Sequence, residues 1–174
     1  MTGDSFSTWD GIEFTVLSRP AASADPLVME FSLPAGCGSP PPHVHDSLTE
    51  TYEVLEGTLE MLDGDEWRAL ESGQSFAIEP GMRHSFRNDS GATVMARNTH
   101  EPHGDFEPFI RSYAALSNEM QSAEPRSPKR AIQGARLWED YPQMGRVTDQ
   151  PMRALFPVLA AIGKLLRIAP PNPA

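Results

Sequence analysis

Between residues 12 and 100 the apolar positions come in short runs: "GIEFTVLSR", "PLVMEFSL", "TYEVLEG", "TLEML", "EWRAL", "QSFAIE", "HSFRN" and "ATVMARNTH". These runs are rich in Val, Ile, Phe and Thr, side chains that fit a pleated, half-buried surface. Turn residues separate them: Asp10-Gly11, Pro34-Ala35-Gly36, Glu56-Gly57, Asp63-Gly64-Asp65, Ser72-Gly73, Pro80-Gly81 and Asn88-Asp89-Ser90-Gly91. Many short strands at near-even spacing, with no helical period between them, predict an all-β sandwich or barrel.

After His100 the period changes. Phe106, Phe109, Ile110, Tyr113, Leu116 and Met120 recur at helical spacing behind Asp105, a suitable N-cap. A polar, Pro-containing stretch, "SAEPRSPKR", follows. Ser127 and Pro128 then open a second helix, as cap and first helical residue. A third helix is expected from Thr148 and Asp149, with Met152, Leu155, Phe156, Leu159, Ile162 and Leu166 on one face and a kink or break at Pro157. The chain thus divides into a β-rich part, residues 1–100, and a helical C-terminal extension, residues 101–174. The extension's apolar face must be covered by the β-rich part or by another subunit.

Composition narrows the classes. The chain has 174 residues, 39% hydrophobic and 22% charged, as in an ordinary folded domain with appendages. A net charge of −10 opposes binding to nucleic acid. The lone Cys37 excludes an internal disulfide. "ALFPVLAAIG" is too short to span a bilayer, and the first residues lack the basic and apolar regions of a secretory signal. No membrane association and a cytoplasmic location are expected.

The chemistry concentrates in "PPHVHDSLTETYEVLEG", residues 41–57, and "GQSFAIEPGMRHSFRN", residues 73–88. In a strand, alternate residues face the same way, so His43 and His45 project together. Glu50 shares parity with Tyr52 and Val54, and His84 with Phe86. If these faces look inward, three imidazoles and one carboxylate converge in an apolar interior, an arrangement that suits a metal ion.

These two stretches resemble the motifs of the cupin superfamily. In the first motif, two histidines one residue apart precede a glutamate and a glycine; here they are His43, His45, Glu50 and Gly57. In the second, Gly73, Gly81, His84 and Asn88 fall in register. Cys37 replaces a glycine of the first motif and Glu79 a proline of the second, both at turns or the rim. The resemblance covers about residues 25–100 and implies a jelly-roll barrel, a double-stranded β-helix, with one divalent metal ion on His43, His45, Glu50 and His84. Iron or manganese is favoured, and nickel, zinc, copper and cobalt are compatible.

By parity, Tyr52, Val54, Leu59, Met61, Phe76, Ile78 and Phe86 are expected to line the cavity. Tyr52 and Glu79 are the candidates for supporting chemistry, Tyr52 because it can orient Glu50. His100 and His103, read as loop residues after the last strand, and Cys37 are expected to stay outside the ligand set. The resemblance implies an oxygenase or isomerase acting on a small organic molecule, and a homodimer. A small-molecule sensor without turnover is the alternative.

Overall fold

The computed structural model describes residues 4–18, 22, 25–38, 40–121 and 127–171. The strands are β1 (Asp4–Ser7), β2 (Glu13–Ser18), β3 (Leu27–Leu33), β4 (His43–Val44), β5 (Thr49–Glu56), β6 (Thr58–Asp63), β7 (Glu66–Glu71), β8 (Ser75–Ile78), β9 (His84–Arg87) and β10 (Val94–Glu101). Then follow α1 (Phe106–Gln121), α2 (Pro128–Asp140), a 3-10 turn (Pro142–Met144), β11 (Arg146–Val147) and α3 (Met152–Leu166). The centre of the polar stretch, residues 122–126, and the last three residues lie outside the described residues.

The strands form two antiparallel sheets, ordered β1-β2-β3-β10-β5-β8 and β11-β4-β9-β6-β7. This is the jelly-roll arrangement, with one correction to the expected barrel. Among the described residues no strand of one sheet pairs with a strand of the other, so the sheets face each other as an open sandwich. They meet through interdigitating side chains rather than through a closed ladder of hydrogen bonds.

Alternation sets the interior. On β3, Leu27, Met29, Phe31 and Leu33 are buried while Val28, Glu30 and Ser32 are half-exposed. On β5 and β10 the inward positions are Glu50, Tyr52 and Val54, and Val94, Ala96, Asn98 and His100. Each large apolar side chain buried this way contributes about 1.5–3 kcal/mol. The inward polar residues gain nothing comparable, so they need partners.

The C-terminal extension is not purely helical. Its strand β11 pairs with β4, setting Val147 opposite His43 and Arg146 opposite Val44. Gly145 makes that approach possible. Its φ is +81°, and a Cβ there would lie 1.7 Å from the Val44 carbonyl oxygen. Nearby, Thr148 donates from its backbone N–H and its hydroxyl to the Pro42 carbonyl, 2.9 Å each. Arg83 grips the Asp149 carboxylate at 2.8 and 3.0 Å and donates to the Gly64 carbonyl.

Helix α2 opens as expected, with the Ser127 hydroxyl accepting from the Arg130 N–H. Helix α3 begins at Met152 rather than at Thr148, because Thr148 and Asp149 are held in the contacts just described. Pro157 does not break it: the helix runs continuously through that residue, which lies on the exposed side. Phe109 and Ile110 of α1 are buried on the sheets, so the chain itself covers that part of the apolar face. Leu155, Val158, Ile162, Leu165 and Leu166 of α3 remain exposed. No described helix is long and apolar enough to cross a membrane.

Candidate metal centre

His43 and His84 sit directly opposite each other across the β4–β9 pair. His45 lies one residue beyond β4, so strand alternation alone does not position it. Its carbonyl accepts the Gly81 N–H at 2.7 Å, which ties this histidine to the Pro80-Gly81 turn of the second motif. The ring centroids of His43 lie 4.9 Å from His45 and 4.2 Å from His84. One donor atom from each of His43, His45, Glu50 and His84 falls within 4.8 Å of the others, and all four residues are buried.

The tautomers of two rings follow from their partners. His43 Nδ1 lies 3.0 Å from the Pro41 carbonyl and His84 Nδ1 lies 2.9 Å from the Met82 carbonyl. A carbonyl only accepts, so each Nδ1 carries the proton and each Nε2 is left with a free lone pair. His84 Nε2 has no aligned donor or acceptor in its fully buried position. An orphaned ring nitrogen of this kind, beside a carboxylate and two more imidazoles, fits a divalent cation. Tethering the second nitrogen to a carbonyl is the usual way a ligand imidazole is oriented.

The two oxygens of Glu50 face different ways. Oε2 lies 3.3 Å from His45 Nε2 and 3.0 Å from His84 Nε2. Oε1 accepts from the Tyr52 hydroxyl at 2.7 Å and from the Asn98 amide at 3.0 Å, with His100 Nε2 also at 3.0 Å. Burial alone would raise the Glu50 carboxyl, but the surrounding His100, His45 and His84 outweigh it and hold it well below the usual carboxylate range. Burial, with Glu50 beside it, pushes the Tyr52 phenol well above its ordinary value, so it remains a donor. Burial, with the neighbouring histidines, keeps His43 well below its ordinary value and therefore neutral, as a ligand must be. His84 goes the other way, because contact with Glu50 outweighs its burial. A cation on Oε2 would take the place of the proton that Glu50 favours there.

Two expectations about neighbouring residues are corrected. His100 is not a solvated loop histidine: it lies on β10, fully buried, with its ring stacked on Phe106 at 3.4 Å between centroids. Its inward parity with Val94, Ala96 and Asn98 was present in "ATVMARNTH" and identifies it once the strand is extended to Glu101. Glu79 is exposed and is not among the residues lining the cavity. His103 is half-buried and outside the cavity. The Cys37 thiol, pushed up by burial and by Asp10, points to the Asp10 carbonyl at 3.6 Å and does not join the donors.

Above the donors lies a cavity of about 100 Å³. Tyr52 and Phe86 line it as expected, but Val54, Leu59, Met61, Phe76 and Ile78 do not. Those five pack in or against the core away from the cavity. Strand parity decides which face a side chain takes, and leaves its distance from the open end undetermined. The remaining walls come partly from the extension, through Phe106, Phe109, Tyr113 and Trp138. Trp138 of α2 meets the metal-site ring of His43 edge-on at 5.2 Å.

Residues 29–97, 69 of the 174 residues, match the family model described as a cupin domain. The match supports a place for that stretch in the cupin superfamily. The cupin fold is also that of KdgF from Halomonas sp., at 18% identity and a TM-score of 0.52 over 60% of this chain and 92% of that one. An RmlC-like cupin from Shewanella frigidimarina is similar at 17% identity and a TM-score of 0.51, over 60% and 88%. At these identities the likeness establishes the fold alone. No curated protein matches the chain in sequence. The cupin match ends at residue 97, so His100 and every helical wall of the cavity lie beyond it.

Proposed function

We propose that this cupin is a mononuclear metal-dependent oxygenase or isomerase acting on a small organic molecule in the cavity. The observation that carries this reading is the convergence of donor atoms from three imidazoles and Glu50 within 4.8 Å of one another, with His43, His45 and Glu50 lining a largely apolar cavity. A divalent ion held there would supply Lewis-acid or one-electron redox chemistry; the ligand set admits several metals, and cellular availability favours iron or manganese. The chain's own residues do the rest. Glu50 supplies one negative charge. Tyr52 and Asn98 keep its other oxygen occupied. Phe109 and Trp138 add apolar wall to the cavity.

The walls bound the substrate. A cavity of about 100 Å³ is below the roughly 300 Å³ at which drug-sized sites begin, which favours a single ring or a short enol or diketone. Among the described residues no Lys or Arg lines it, so a phosphorylated or multiply charged ligand would be buried there without a counter-charge. On the far wall Tyr113, pushed up by burial, stays protonated and offers a hydroxyl to a ligand oxygen.

One observation favours a second reading, a ligand sensor without turnover. Among the described residues, the ionisable groups lining the cavity are His43, His45, Glu50 and two tyrosines, with no independent acid–base pair. Anaerobic reconstitution with iron(II), followed by oxygen uptake across small catechols and β-diketones, separates the two. The enzyme reading expects uptake stimulated by at least one compound. Binding of several compounds with no uptake and no isomerised product would leave the sensor reading in its place.

A further inference from the structure

Glu50, Tyr52, Asn98 and His100 form a square of buried polar residues where β5 and β10 pair. His100 is the direct cross-strand partner of Glu50, and Asn98 that of Tyr52. All four are at most 3% exposed. Three of them turn a nitrogen or hydroxyl toward one atom, the Glu50 Oε1. Neither ring nitrogen of His100 has an aligned hydrogen bond, and Nε2 lies 3.0 Å from that oxygen. The flat stack on Phe106, 23° between planes, holds the ring where it is. Phe106 is the first residue of α1, so the extension reaches the carboxylate through one intermediate ring.

We propose that His100, clamped by Phe106, is a positioning residue that keeps Oε1 of Glu50 engaged and leaves Oε2 alone turned toward His43, His45 and His84. The proposal rests on the metal reading above. The alternative is a purely packing role, with His100 filling the space under Phe106. The geometry argues against packing alone: a neutral ring with two unaligned nitrogens is a poor filler, and its polar contact goes to the outer oxygen of the Glu50 carboxylate. Removing His100's nitrogens would leave Oε1 to Tyr52 and Asn98 alone, so the carboxylate could tilt, bringing Oε1 nearer the ion or turning Oε2 away from it. Either change alters the coordination without touching a ligand. Residues that orient metal ligands in this way typically affect affinity by about 10–100-fold.

The test uses the full chain, stripped of metal and titrated with cobalt(II) against a chelator, with the visible cobalt spectrum and the melting temperature recorded together. His100→Phe keeps an aromatic ring against Phe106 and removes both nitrogens. His100→Gln restores an N–H donor. The expected result is cobalt affinity at least about tenfold weaker in His100→Phe, with a changed cobalt spectrum, and recovery of most of that loss in His100→Gln. A purely packing role would lower the melting temperature of either variant and leave the affinity within twofold and the spectrum unchanged, which overturns the proposal. If His100→Phe does not fold, Phe106→Ala is read instead. A loosened stack should weaken cobalt binding severalfold, and unchanged binding and spectrum would overturn the proposal. Wild-type protein that takes up no cobalt removes the metal reading itself, a different outcome from cobalt-binding wild type with an indifferent His100.

Discussion

Replacing Tyr52 with Phe isolates one hydrogen bond. The Tyr52 hydroxyl donates 2.7 Å to Glu50 Oε1 in a position 3% exposed. The ring meets Phe31 edge-on at 6.1 Å and lies 5.4 Å from Phe86, and a phenylalanine would keep both contacts. No cavity is therefore created, and the loss is the hydrogen bond itself. A bond to a charged acceptor is worth about 1.5–3 kcal/mol. Asn98 still donates to the same oxygen, and the variant no longer buries a hydroxyl, so the net loss should be about 1–2 kcal/mol. For a chain of this length that lowers the melting temperature by about 3–6 °C. Thermal unfolding of the metal-free variant by circular dichroism reads it, with cobalt competition alongside. A melting temperature within 1 °C of wild type, with unchanged cobalt affinity, would refute the claim that Tyr52 supports the Glu50 carboxylate.

Other expectations are simpler. Gly145→Ala forces a Cβ into the Val44 carbonyl at a φ of +81°; it should cost more than about 3 kcal/mol and loosen β11, seen as a large fall in melting temperature and faster amide exchange at Val44 and Val147. Holding a tightly bound divalent metal at about 100 times its Kd should stabilise the fold by about 2.7 kcal/mol, and a chelator should reverse that; a melting curve indifferent to both contradicts a native-state site. The metal-free protein should lose stability as pH falls below about 6.5. His43 and His100, both lowered by burial, contribute stability that is full above the unfolded value and lost below it. His84, raised by Glu50 despite its burial, opposes this in part. A melting temperature that rises between pH 7 and pH 5 would contradict the balance.

Much of this was legible from residue order, for identifiable reasons. The inward set of β5 and the meeting of His43, His84 and Glu50 follow from period-two alternation and turn placement. His45 came to the same point by a different route, through the Gly81 contact rather than a strand. Three things were not legible. Strand spacing allowed a sandwich or a barrel and could not choose between them, because spacing does not report whether sheet edges close. The short β11 was hidden in "GRVTDQ" because two residues carry no period, and its pairing depends on a close approach allowed by Gly145. The cavity's helical walls, Trp138 above all, depend on how α1 and α2 dock, which a helical period does not specify. His100 differs: it closes the run "ATVMARNTH", so its inward parity was visible, but a histidine at a strand end carries no signal that separates it from the loop that follows.

The most direct measurement is elemental analysis of the tag-free protein after exposure to iron, manganese and zinc, taken with a His84→Ala variant. The account predicts close to one divalent ion per wild-type chain and little in the variant. Wild-type protein that stays empty, or a His84→Ala chain that keeps its full complement, would contradict it.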